Sequence, residues 1–180
     1  MSVAILDNGP GNDLTAPPIR TPSVREYRYL LIMTTADTPA FLYAQIPYRD
    51  APAALRWLER AFGLTTTAEW PDGEGGIQHA EMRRGDAVFT VFTDRAGYDR
   101  AQPRGESVGL GLVFALCSPA EVDDIFRSAV AAGAEVVFAP TDTEWGNYRC
   151  RVRDLEGYEW TFGTYKPGEP QEWAGDDQVD

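Results

Sequence analysis

The chain has 180 residues, 43% of them hydrophobic, which is enough for one domain or two small fused modules to bury a core. A formal charge of −12 argues against nucleic acid and anionic membrane surfaces as partners, because phosphate binding needs clustered Lys and Arg. The longest uncharged apolar runs, such as that around Leu110–Leu116, are far short of a membrane span, and no secretory leader is expected, because no charged segment followed by an apolar one stands at the start. Cys117 and Cys150 have neither metal-type nor redox-type spacing and read as small buried residues in a reducing compartment, so the expected location is cytoplasmic.

Residues 1–38 are rich in Pro, Gly, Asn, Asp and Thr and read as a flexible extension, within which Tyr27–Thr35 has the composition of an extra strand. The first module is assigned to residues 39–97. In its opening strand, Phe41–Tyr48, alternation puts Ile46 and Tyr48 on one face and Tyr43, Gln45 and Pro47 on the other. Pro47 suits an edge position. Asp50 stands where an N-cap belongs and Pro52 fits the first turn; Ala51, Ala54, Leu55, Leu58 and Phe62 recur on one helical face, and Gly63 closes the helix. Strands at Leu64–Trp70, Ile77–Asp86 and Ala87–Asp94 follow, the last two joined by a tight turn near Gly85-Asp86.

Residues 98–108 form a polar linker, and residues 109–165 repeat the arrangement. Ser118 caps a second helix, Pro119 begins it, Val122, Ile125, Phe126, Ala129 and Val130 form its apolar face, and Gly133 ends it. Three further strands follow, and residues 166–180 are an acidic tail. Asp50 and Ser118 lie 68 positions apart, Gly63 and Gly133 lie 70 apart, and the turn glycines Gly85 and Gly157 lie 72 apart. Landmarks that shift together indicate duplication of one supersecondary unit. The expected fold is therefore α+β, two tandem β-α-β-β-β modules with curved mixed sheets enclosing a cleft. A single module covers only one face of its sheet, which places the functional site on the other face, between paired modules of one chain or of two.

The strings YRDAPAALRWLERAFG, IQHAEMRRGD and RVRDLEGYEWTFGTY resemble the glyoxalase/bleomycin-resistance branch of the vicinal-oxygen-chelate superfamily, over roughly Phe41 to Tyr165. The resemblance implies a metal-ligand position near the start of each module's first strand and one in each last strand. Carried onto this chain, those positions are Tyr43, Thr90, Gly111 and Thr161, none of them a histidine or carboxylate. No metal and no other cofactor is therefore expected. The resemblance also implies a homodimer.

His79 is the only histidine, and Glu81 shares its strand face; together they are the acid/base pair if the protein is an enzyme. No motif for nucleophilic catalysis accompanies a Ser or Cys. Aromatic residues make up 12% of the chain, and several fall where the cleft or its rim is expected. Aromatic walls with a few fixed polar groups suit a flat organic ligand. The reading leans away from catalysis, toward binding and sequestration of a small aromatic molecule of antibiotic type. Glu69, Glu81, Glu144 and Glu159 favour a cationic one. The expected contacts are Tyr43, Gln45, Thr90, Phe92, Val113, Trp145, Tyr148 and Thr161. The alternatives are a metal-dependent lyase or isomerase using Gln45, His79, Glu81 and Glu159, and a metal-free enzyme with His79 as base.

Overall fold

The computed structural model describes residues 41–168, and the amino-terminal extension and the tail beyond residue 168 lie outside them. The first module runs β1 (Gln45–Tyr48), α1 (Ala51–Phe62), β2 (Thr65–Pro71), β3 (Ile77–Arg84) and β4 (Ala87–Thr93). The second runs β5 (Gly111–Ala115), α2 (Pro119–Ala131), β6 (Glu135–Thr141), β7 (Arg149–Arg153) and β8 (Glu159–Gly163). The two open four-stranded sheets are ordered β1-β4-β3-β2 and β5-β8-β7-β6, and in each the first strand is parallel to the last. Identical order and polarity in both halves are what a duplicated unit requires. β1 begins four residues later than the alternation suggested, and Pro47 does sit on an edge strand.

Both helices start on side-chain caps. The Asp50 carboxylate accepts from the Ala53 amide at 3.0 Å, and Ser118 Oγ accepts from the Glu121 amide at 3.3 Å. Glu121 reaches back to accept from the Cys117 amide at 2.8 Å, so two otherwise unsatisfied donors are paired reciprocally. Gly63 ends α1 at φ 62°, a left-handed conformation open to glycine at little cost.

α1 buries residues on more than one side, because it packs on its own sheet and also against the second module. Trp57 is nearly fully buried, and its Nε1 donates to the Ala132 carbonyl at 2.8 Å. Phe62 meets the rings of Trp160 at 5.3 Å and Phe162 at 4.9 Å, and Phe89 reaches Trp160 from the first sheet at 5.3 Å. The helix-facing residues of both sheets thus share one core with Trp160 at its centre. Burial of a side chain of that class is worth about 2–3 kcal/mol. Cys150 lies in this core, and burial pushes its thiol up to about 11; Cys117, expected to be buried as well, is exposed at the mouth of α2.

A polar clasp completes the contact between modules. The Tyr48 hydroxyl donates to Asp154 at 2.5 Å and Trp160 Nε1 to the same carboxylate at 2.8 Å. Arg100, from the segment read as a polar linker, is largely buried between Asp94 at 3.0 Å and Glu156 at 2.8 Å, and it donates to the Pro47 carbonyl. Among the described residues, no helix is long and apolar enough to cross a membrane.

Candidate functional site

Each sheet has one face in the shared core and one face away from it. In the first sheet, cross-strand register puts Gln45 and Glu81 on either side of Thr90, Pro47 beside Phe92, and Trp70 beside His79, all on the open face. In the second sheet, Val113 and Arg151 flank Thr161, Arg149 lies opposite Gly163, and Phe138 lies opposite Arg151. The two faces have the same plan, with Thr90 and Thr161 at corresponding points.

Seven of the eight residues expected to bind ligand sit on these faces or at their margins. Gln45 and Thr90 are cross-strand partners with Phe92 two positions along, and Val113 and Thr161 are partners in the second sheet. Tyr43 and Val113 are more than half exposed and line one cleft of about 390 Å³, which also includes Leu42, Val88, Phe114 and Trp160. Trp145, 62% exposed, stacks over Arg149, with 5.4 Å from guanidinium to ring centre. Tyr148 is different. It packs against the core, and its hydroxyl donates to Asp123 of α2 at 2.8 Å, so its ring is turned to the helix layer. Among the described residues, no hydrogen bond joins the open face of one module to that of the other. The bonds between modules come from Tyr48, Arg49, Asp50, Trp57, Arg100 and Tyr158.

The donor set does not fit a metal ion. Thr90 and Thr161 offer only hydroxyls, and the Thr161 hydroxyl already accepts from Arg151 Nε at 2.9 Å. Glu159 is fully occupied: it accepts from Ser107 Oγ at 2.8 Å, the Val108 amide at 3.0 Å, and Arg153 Nε and Nη2 at 3.2 and 3.0 Å. Two guanidiniums beside it oppose a further cation. Among the described residues, no three of His, Cys, Asp and Glu are grouped as metal ligands would be. His79 and Glu81 do approach each other, with Nε2 and Oε1 3.4 Å apart, and the Trp70 ring lies 5.2 Å from the imidazole.

The feature missed in the sequence is the arginine row of β7. Arg149, Arg151 and Arg153 all project to the open face, while Cys150 and Val152 are buried in the core. The signal was present in NYRCRVRD: period-2 alternation puts Tyr148 with Cys150 and Val152, and the arginines opposite. Phe138 runs beneath the row, with Arg149 at 5.2 Å and Arg151 at 5.4 Å from its ring centre. This face is therefore aromatic and lined by arginines, two of which pair with Glu135 and Glu159.

Paired open sheets built from two β-α-β-β-β units define a known class of fold, and the sequence agrees. The profile of the Glyoxalase/Bleomycin resistance protein/Dioxygenase superfamily matches residues 40–162, and the chain belongs to that superfamily. An uncharacterized protein of Mycobacterium bovis is 30% identical over 120 residues, covering 63% of this chain and 76% of the relative. TioX from Micromonospora sp. ML1 is 29% identical with a TM-score of 0.54, over 69% of this chain and 98% of TioX. The fosfomycin resistance protein FosX of Listeria monocytogenes shares the fold alone, at 11% identity and a TM-score of 0.56, over 73% of this chain and 94% of FosX.

Proposed function

We propose that this protein binds a small, flat aromatic molecule against its open sheet faces and holds it without transforming it, as a sequestering protein of the antibiotic-resistance type would. The observation that carries this reading is the set of large aromatic side chains left half exposed there: Tyr43 at 53%, Trp70 at 52% and Trp145 at 62%. Exposed aromatics on β2 and on the segments bordering β1 and β7 supply stacking area with little entropy loss, which is affinity without chemistry. The binding contacts are Tyr43, Gln45, Thr90, Phe92, Val113, Trp145 and Thr161, and the site is completed when the open face of one copy meets that of another in a homodimer. The setting is the cytoplasm.

The test is a screen of aromatic compounds by tryptophan fluorescence, followed by mass spectrometry of the recovered ligand. Trp145→Ala weakens binding by about 1–3 kcal/mol through lost stacking area. Unchanged affinity would remove Trp145 from the site, and a chemically altered ligand would end the sequestration reading.

A second reading, metal-free catalysis with His79 as base, draws on the 3.4 Å approach of His79 to Glu81 beside Trp70. His79→Ala abolishes turnover on this reading and leaves the ligand intact in both proteins on the first.

A further inference from the structure

The arginine row of β7 is not electrically uniform. Arg153 pairs with Glu135 at 2.5 Å and Glu159 at 3.0 Å, and Arg151 faces the same Glu159 at 3.6 Å. Two guanidiniums thus meet two carboxylates, and their charges cancel. Arg149 differs from both. Among the described residues it has no carboxylate within ion-pair reach, and its Nε is a buried nitrogen with no hydrogen-bond partner. A buried donor normally finds an acceptor, so Arg149 carries an uncompensated donor among the described residues. The Arg149 guanidinium is held between Phe138 at 5.2 Å and Trp145 at 5.4 Å, which fixes its plane. Opposite it stands Gly163, which has no side chain; the Asn147 side chain takes the adjoining space, with Oδ1 2.7 Å from where a Cβ would stand.

We infer that Arg149 is the anion-reading residue of the site, and that the ligand class is an aromatic acid. Its ring lies along Trp145, and its carboxylate, or an equivalent oxyanion, accepts from the Arg149 guanidinium. This deepens the aromatic-binding reading and rests on it. A planar guanidinium flanked by rings suits such a ligand, because the fork matches a carboxylate while the flanking rings exclude water. The protein as a whole carries −12 and repels anions at long range, but at physiological salt that field decays over roughly 8 Å. A preference for acids therefore has to be local.

The experiment compares three probes of one shape on the full chain by titration calorimetry: 2-naphthoate, 2-naphthamide and 2-naphthylmethylammonium. The expected order is acid, amide, ammonium, with about tenfold between acid and amide. Arg149→Gln brings acid and amide within about twofold of each other, whereas Arg127→Gln, on an exposed face of α2, leaves the tenfold preference in place. The Arg Nε–H resonances of the unmutated protein give a readout that does not depend on a variant folding: one of them shifts on adding the acid and stays put with the amide. Equal binding of the three probes, or an acid preference that survives in a folded Arg149→Gln protein, overturns the inference while leaving aromatic binding intact. No binding of any probe overturns both.

Discussion

At Glu159 a carboxylate 1% exposed to solvent accepts four hydrogen bonds and faces a second guanidinium. Burial pushes its pKa up, but the bonds from Ser107, Arg153 and Val108 and the charge of Arg151 outweigh that and hold it below the usual carboxylate range. With the folded value depressed, the ionised group contributes stability above the ordinary value of about 4.3, and that contribution is lost as pH falls through the folded value. Glu159→Gln is thus expected to cost roughly 1–3 kcal/mol at neutral pH, and the gap to the unmutated protein narrows below about pH 4 in urea titrations. A gap independent of pH would mean that shape, not charge, is what Glu159 supplies. Glu159 reads from sequence as a possible metal ligand because it is a carboxylate two positions from Thr161, the matched position; that four donors converge on it depends on Ser107 and Arg153, brought in from other parts of the chain.

At the scale of elements, local chemistry was the most legible. Asp50, Pro52, Gly63, Ser118 and Pro119 mark the helix ends by caps and backbone limits that involve only neighbours in sequence, and all five stand where expected. Gly63 also carries a tertiary constraint: a Cβ there would lie 2.7 Å from Arg84 Nη1, which donates to the Phe62 carbonyl at 2.6 Å. Gly133, at φ 88°, has open space around it. Gly63→Ala is therefore expected to destabilise by about 1–2 kcal/mol, and by more than Gly133→Ala, in parallel thermal or urea melts. Equal losses would show that Arg84 moves aside freely. The face of each strand was legible where alternation was read through, as at Ile46 and Tyr48. It is less legible at Tyr148, which lies just before β7 but shares the period of Cys150 and faces the helix layer.

At the scale of the molecule, the contacts that join the modules left little trace in the sequence. Trp57, Arg100 and Trp160 find partners dozens of residues away, and no local pattern distinguishes an arginine that is clasped between Asp94 and Glu156 from one in a solvated linker. Because no hydrogen bond among the described residues joins the open faces of the two sheets, pairing between copies is the expected completion. Light scattering after size-exclusion chromatography should give twice the chain mass of 19.9 kDa. A monomer that still binds aromatic ligands would dismiss that pairing. The shared plan of the two faces has a consequence of its own. Across from Thr90 stands Glu81, and across from Thr161 stands Arg151. Duplication kept the geometry of the unit while the residue paired with the threonine changed from an acid to a base, so the two halves are not spare copies. On the proposed reading a guest between such halves is expected to lie one way round, which a structure of the complex would show.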